Sequence, residues 1–87
     1  MHLDIKIYGR VQGVFFRTSS ASKAKELNIT GFVRNNTDDS VYIEAEGDRR
    51  DLDEFVGWCK HGPRFAKVEK VEVTEGATQG FPGFLII

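Results

Sequence analysis

Hydrophobic and polar positions alternate at the start of the chain. Leu3, Ile5 and Ile7 are separated by polar or amphipathic residues, and this period of two predicts a half-buried strand ending at Gly9. The spacing then changes to that of one helical face, with Phe16, Ser20, Ala21, Ala24 and Leu27. We therefore predict a first helix with Asn28 at its C-terminal end, where a residue that tolerates the left-handed conformation is favoured.

A β-hairpin is predicted after this helix. Residues 29–35 have strand-forming character, and Val41, Ile43 and Ala45 alternate with polar or amphipathic neighbours. The intervening residues 36–40, Asn-Thr-Asp-Asp-Ser, are rich in turn formers. Two antiparallel strands joined by a tight turn fit this pattern.

A second amphipathic helix follows Gly47. Its apolar residues recur at i, i+3, i+4 and i+7: Leu52, Phe55, Val56 and Cys59. Asp48 is its predicted N-cap, and Gly62-Pro63 close it.

Two further strands complete the predicted elements. The fourth strand contains Val68, Val71 and Val73, and a shift of phase at Glu69-Lys70 predicts a bulge there. A short last strand, residues 84–87, follows the turn at 80–83.

The predicted order is βαββαβ plus a short C-terminal strand. Two helices on one face of an antiparallel sheet form the ferredoxin-like α/β sandwich of the α+β class. The length of 87 residues suits a single domain over residues 1–87. Because this architecture hosts enzymes, RNA binders and regulatory modules, the fold alone does not specify a function.

Composition narrows the classes of function. Twelve Lys and Arg against thirteen Asp and Glu leave a formal charge of −1, so any anion binding must be local and no bulk attraction to nucleic acid or membrane is expected. Cys59 is the single cysteine, which excludes an internal disulfide. No apolar run approaches the length of a membrane helix, and we expect a cytoplasmic protein.

The segment GRVQGVFFR, Gly9 to Arg17, leads from the first strand into the first helix. Free backbone N–H groups and the positive end of the dipole collect at a helix N-terminus. Gly13 permits a tight turn, Val14–Phe16 are expected to anchor the loop to the core, and Arg17 can reach back over the loop amides. This combination predicts an anion site suited to phosphate. The alternative is a plain connection with a solvated Arg17.

The segment GFVRNN, Gly31 to Asn36, supplies a second candidate. The second strand is expected to lie near the first, so that its end approaches the loop. The carboxamide of Asn35 can accept a hydrogen bond from a water without repelling a phosphate. The alternative role of Asn35 is to open the hairpin turn.

Together, GRVQGVFFR and GFVRN resemble the signature of the acylphosphatase family, Gly-x-Val-Gln-Gly-Val-x-Phe-Arg followed by Gly-x-Val-x-Asn. The resemblance covers the whole chain, and residues 44–47 and 62–68 are similar to later family motifs. It implies hydrolysis of acyl phosphates, with inorganic phosphate as product and inhibitor and with no metal or organic cofactor. No nucleic-acid or membrane partner is expected, and we expect a monomer.

The resemblance also implies roles for individual residues. Arg17 would bind the phosphate together with the loop amides, and Asn35 would orient the attacking water. The implied phosphate-loop positions are Gln12, Gly13, Val14, Phe15 and Phe16. Because an acyl phosphate already has a good leaving group, positioning and charge stabilisation suffice without a strong base or a nucleophile.

A few positions depart from the family pattern. Asp39 stands where many members have glycine in the hairpin, so the turn must use the tolerance of Asp or Asn for positive φ. The other departures are Asn28 for Gly, Ser20 for Thr, and Arg64 for a second proline. None of them involves Arg17 or Asn35.

Alternative chemistries are weaker. Cys59 precedes Arg64 at a spacing one residue shorter than the thiol-phosphatase loop, and it lies on the apolar stripe of a helix. Cys59 and His61 would point to different sides of a helix, which argues against a metal site. Tyr8 and Tyr42 could face outward from the sheet, but no RNP1-like motif accompanies them. A non-catalytic anion-binding or regulatory module of the same fold remains the competing class.

Overall fold

The computed structural model describes all residues 1–87 and contains five strands and two helices. In chain order they are β1 (His2–Arg10), α1 (Phe16–Glu26), β2 (Thr30–Asn35), β3 (Val41–Glu46), α2 (Arg49–Cys59), β4 (Lys67–Gly76) and β5 (Phe84–Ile86). This order confirms the predicted βαββαβ arrangement with a terminal strand.

The five strands form one sheet in the order β4-β1-β3-β2-β5. Four of them are antiparallel, as predicted, whereas β5 pairs parallel with β2 over Gly31–Val33. The prediction of an antiparallel sheet is therefore wrong for the last strand. The path of the chain explains this difference. β4 ends at the same end of the sheet at which β2 begins, and residues 77–83 run along that end. As a result β5 starts beside the start of β2 and runs in the same direction.

The core lies between the sheet and the helices and contains 17 buried hydrophobic residues. Alternate residues of β1 face inward, and Ile5 and Ile7 are completely buried. Leu52 and Phe55 meet them from α2 with no exposed surface. Burial of a side chain of this size contributes about 1.5–3 kcal/mol. α1 presents mainly small buried residues, which allow its backbone to approach the sheet closely.

The predicted bulge in the fourth strand is confirmed. Tyr8 pairs with Lys70 and Gly9 pairs with Val68, so Glu69 has no partner in the register between β1 and β4. A Cβ atom at Gly9 would collide with the Lys67 carbonyl oxygen, and the φ of 125° at Gly9 is also unfavourable for other residues.

Local predictions at the turns and helix ends are largely confirmed. Asn28 follows α1 with φ of 57°, and Asp39 occupies the hairpin turn with φ of 71°. Asp48 is the N-cap of α2, although its side chain makes no capping hydrogen bond. At the other end of α2, the Gly62 N–H donates to the Trp58 carbonyl oxygen at 2.8 Å. None of the helices has the length and apolar character needed to cross a membrane.

Candidate active site

A pocket of about 230 Å³ lies at the end of the sheet at which β1 and β2 terminate. Its lining residues are Val11, Gly13, Phe15, Phe16, Arg17, Thr18 and Asn35. The loop and the end of β2 therefore meet, as predicted, although β3 lies between the two strands. They meet because β1 and β2 are both antiparallel to β3, so the C-terminal ends of β1 and β2 lie at the same end of the sheet.

The loop after β1 contains two left-handed residues, a backbone feature that anion-binding concavities share. Gly13 has φ of 72° and Phe15 has φ of 65°, whereas Val14 between them is not left-handed. Alternation of hand along successive residues turns their N–H groups toward one side. No backbone N–H from Val11 to Phe15 donates to another residue. These donors therefore remain available to a bound anion.

The N-terminus of α1 adds to this potential. Phe15 is its N-cap and provides no side-chain cap, and the first turn carries no acidic residue. The positive end of the helix dipole is therefore not compensated by the protein itself, which favours an anion at this position.

The loop side chains divide into buried anchors and one exposed ring. Val14 is 5% exposed and Phe16 is 2% exposed, so both anchor the loop to the core as predicted. Phe15 is 75% exposed, and the prediction that it anchors the loop is wrong. The left-handed conformation at Phe15 turns its side chain away from the core. A bulky residue in this region costs about 1–3 kcal/mol.

Arg17 and Asn35 share the pocket, and the protein engages neither of their side chains. Arg17 lies exposed in the first turn of α1, and its guanidinium takes part in none of the ion pairs of the chain. Asn35 is partly buried at the end of β2, where it pairs through its backbone with Val41. Both side chains are thus free to contact a ligand.

Gln12 connects the loop to the hairpin. Its Nε2 donates to the carbonyl oxygens of Asn36 and Ser40 at 2.8 and 2.9 Å. Gln12 and Val14 are not among the residues that line the pocket. Gln12 instead holds the loop against the turn that immediately follows Asn35.

Comparison with known proteins identifies the family. The acylphosphatase family model matches residues 3–86. The chain belongs to the acylphosphatase family. It is 44% identical to an acylphosphatase of Methylococcus capsulatus over 86 residues, which covers 98% of this chain and 94% of that protein.

Solved structures of the family superimpose closely. The crystal structure of an acylphosphatase from Bacillus subtilis has a TM-score of 0.95 at 37% identity and covers 99% of this chain and 97% of that one. An acylphosphatase from Coxiella burnetii has a TM-score of 0.96 at 34% identity and covers 99% and 90%. These similarities confirm the ferredoxin-like α+β fold and the predicted enzyme class, an acylphosphatase hydrolase.

Two pocket residues were not predicted from the sequence. Val11 is a core residue whose contribution to the lining follows from the path of the loop. Thr18 donates from its hydroxyl to the Phe15 carbonyl oxygen at 3.2 Å. Its place beside Arg17 in the first helical turn was the available signal.

Cys59 lies outside the pocket. The thiol is completely buried, and burial raises its pKa, which disfavours the thiolate that a nucleophile requires. The prediction that Cys59 packs as a small hydrophobic residue is confirmed. Trp58, its neighbour, packs against Phe55 and Phe16 at the edge of the core.

One group of possible metal ligands lies at the opposite end of β1: His2, Asp4 and Glu44 have ligand atoms within 4.8 Å of one another. The sequence pattern does not reveal this group, because pairing of β1 with β3 brings its members together. Its polar atoms are already used within the protein. His2 Nε2 contacts Asp4 Oδ1 at 2.9 Å, and His2 Nδ1 contacts Glu46 Oε2 at 2.6 Å.

Glu46, which contacts His2 of this group, fastens the segment before β5. Glu46 accepts hydrogen bonds from the backbone N–H groups of Gln79 and Gly80 at 2.6 and 2.9 Å. Burial tends to raise the pKa of Glu46, but these bonds and the one from His2 lower it to about 2. Burial opposes protonation of His2, yet its hydrogen bonds to Glu46 and Asp4 raise the His2 pKa. His2, Asp4, Glu44 and Glu46 therefore form a structural cluster, which we call the clasp.

Proposed function

We propose that this chain hydrolyses the carboxyl-phosphate bond of acyl phosphates in the loop pocket and releases a carboxylate and inorganic phosphate. One observation carries the proposal: Arg17, whose guanidinium forms no ion pair, and Asn35, whose carboxamide forms no hydrogen bond, line one pocket together with Gly13 and Phe15, whose backbone N–H groups have no partner within the protein. A strand-to-helix connection without a ligand would have no need for this convergence.

The loop and Arg17 would hold the phosphoryl group. Backbone N–H groups of Gln12, Gly13, Val14, Phe15 and Phe16 are the proposed donors, together with the start of α1. A guanidinium can donate two parallel hydrogen bonds to phosphate oxygens, and such charge-assisted pairs are stronger than neutral ones. Donors fixed in place before the reaction stabilise the charge that spreads over the phosphoryl oxygens in the transition state.

Asn35 would orient the attacking water. Its carboxamide oxygen can accept a hydrogen bond from the water, and because the group is neutral it does not repel the bound phosphate. The acyl carboxylate is a good leaving group, so the proposed mechanism requires no general acid. Gln12 would act as a positioning residue, since it holds the loop close to the strand end that carries Asn35.

The proposed phosphate donors and Arg17 also determine which cofactors and inhibitors we expect. We propose that no metal or organic cofactor takes part, because the donors and the positive charge come from the chain itself. Inorganic phosphate, as the product, should occupy the same donors and inhibit competitively. A monomer in the cytoplasm, without a nucleic-acid partner, remains the expectation for its cellular form.

The test is phosphate release from a panel of substrates, with the spontaneous hydrolysis subtracted. We expect turnover of acetyl phosphate and benzoyl phosphate to greatly exceed that of a phosphate monoester such as p-nitrophenyl phosphate. Turnover should persist in excess chelator and should not increase with added magnesium or zinc. Binding of inorganic phosphate without hydrolysis of any acyl phosphate would instead support the non-catalytic anion-binding module.

A further inference from the structure

Phe15 is an aromatic residue that the core does not use. Its side chain is 75% exposed, and it takes part in none of the aromatic pairs of the chain. Its backbone is left-handed, with φ of 65° and ψ of 23°. The other non-glycine residues with positive φ are Asn28 and Asp39, polar types that tolerate this conformation. Phe15 therefore occupies a position that suits neither its backbone nor its side chain.

The position of Phe15 in the pocket suggests what the ring does. Three hydrophobic residues line the pocket, Val11, Phe15 and Phe16. Val11 is 1% exposed and Phe16 is 2% exposed, so they offer a ligand almost no apolar surface. Phe15 is the one member of the three with a ring face available to a ligand.

The proposed chemistry defines which part of a substrate can reach this ring. The loop N–H groups and Arg17 would hold the phosphoryl end of an acyl phosphate. The acyl group is joined to that end through the bridging oxygen and must extend away from the donors toward the pocket mouth. An exposed ring on the same loop then forms the adjacent apolar wall.

We infer that Phe15 is a specificity-determining residue that contacts the acyl group and favours acyl phosphates with an aromatic or bulky apolar acyl part. The inference rests on the proposed function. Contact between the ring and such a group removes apolar surface of both from water, whereas an acetyl group covers little of the ring. Because the contact does not involve the reacting atoms, it acts on the ground state and the transition state alike and should appear mainly in KM.

The test compares kcat/KM for benzoyl phosphate with kcat/KM for acetyl phosphate in the parent and in variants. In Phe15→Ala, the ratio of the two values should fall about 2- to 12-fold, the fold-change typical of one aromatic contact. Phe15→Tyr keeps the ring and should keep the ratio. Phe65→Ala is the matched control, because Phe65 is another exposed phenylalanine, 66% exposed, outside the pocket lining.

The possible results of these assays distinguish failure of the inference about Phe15 from failure of the proposed function. An unchanged ratio in folded Phe15→Ala, or an equal loss for both substrates, would overturn the inference while the proposed function stands. Failure of the parent to hydrolyse either substrate would overturn the proposed function and this inference with it. Should Phe15→Ala not fold, Phe15→Asn removes the apolar side chain with a residue type that tolerates positive φ. It should lower the ratio in the same direction, and an unchanged ratio there would contradict the inference.

Discussion

Gln12 donates a hydrogen bond from its Nε2 to the carbonyl oxygen of Asn36 at 2.8 Å, across the gap between the loop after β1 and the hairpin. Asn36 directly follows Asn35, so this bond couples the proposed phosphate donors to the proposed water-orienting group. The two parts of the site are far apart in the chain. Pairing of β1 and β2 with β3 brings them to the same end of the sheet, and the Gln12 side chain adds a direct link between them.

Substitution of Gln12 should therefore reduce activity without removing a group that touches the substrate. In Gln12→Leu, the Asn36 carbonyl oxygen loses its side-chain donor, which should cost about 1–3 kcal/mol of stability. Turnover of the folded protein should fall by up to about 10²-fold, because the loop and Asn35 lose their fixed separation. Gln79→Ala is the control, because Gln79 is an exposed glutamine at the opposite end of the sheet. Turnover equal to that of the parent in folded Gln12→Leu would contradict the positioning role.

Arg17 should control both binding and hydrolysis. Removal of one preorganised stabiliser of charge typically costs about 10²–10³ in rate, so Arg17→Ala should lose that much turnover and should bind inorganic phosphate more weakly. Lysine should rescue poorly, because it lacks the planar fork. Arg50→Ala, an exposed arginine in the first turn of α2, is the control for a lost positive charge at a helix start. Phosphate inhibition as strong in Arg17→Ala as in the parent would show that the loop is wrongly assigned.

Asn35 should separate chemistry from binding. Its carboxamide makes no internal hydrogen bond to lose, so Asn35→Ala should change stability by no more than about 0.5 kcal/mol. Hydrolysis should fall by about 10²-fold or more while inhibition by inorganic phosphate is largely retained. Asn35→Asp should be no better, since a carboxylate would repel the bound phosphate.

The opposite pattern would assign Asn35 to the hairpin alone. In that case Asn35→Ala would unfold at a lower temperature, and its folded fraction would turn over substrate like the parent. Phosphate affinity, unfolding midpoint and turnover should be measured on one preparation, because these three readouts together distinguish the two roles.

The clasp formed by His2 and Glu46 should make stability depend on pH in two directions. The pKa of Glu46 is lowered from 4.5 to about 2, so its contribution is present above pH 4.5 and is lost as the pH falls toward 2. The pKa of His2 is raised from 6.5, so its contribution is complete below pH 6.5 and is lost as the pH rises through the higher folded-state value.

Thermal unfolding across this pH range tests the clasp. The unfolding midpoint should fall on both sides of an interval between pH 4.5 and 6.5, apart from the contributions of other groups. Glu46→Gln should flatten the acid side relative to the parent, whereas Glu75→Gln, an exposed glutamate of β4, should not. Parallel profiles for the parent and Glu46→Gln would rule out the proposed linkage.

Cys59 should affect stability and not chemistry. Cys59→Ser places a more polar group in a fully buried site and should lower stability by about 1–3 kcal/mol. Turnover per folded molecule should equal that of the parent, and thiol reagents should modify the native protein slowly because the thiol is buried. An inactive but fully folded Cys59→Ser protein would restore the thiol mechanism.

The sequence by itself determined the order of helices and strands in this protein and the turn conformations at Asn28 and Asp39. Apolar residues that recur at every second position, or at the spacing of one helical face, indicate which side chains face the core. These patterns located β1, α1 and α2. Positive φ at Asn28 and Asp39 was predictable because these residue types tolerate it within a few bonds. The proposed phosphate loop and Arg17 could be selected from the sequence because they are contiguous, and Asn35 because it belongs to a second short motif.

Only the tertiary structure decided what depends on contacts between distant segments. The parallel direction of β5, the bonds from Gln12 to the hairpin and the clasp around His2 all arise from the order of strands in the sheet. The outward direction of Phe15 depends on a left-handed backbone that phenylalanine does not favour by itself. Hydrophobic periodicity specifies whether a residue is buried but not which residue it meets, so these features could not be obtained from the pattern alone.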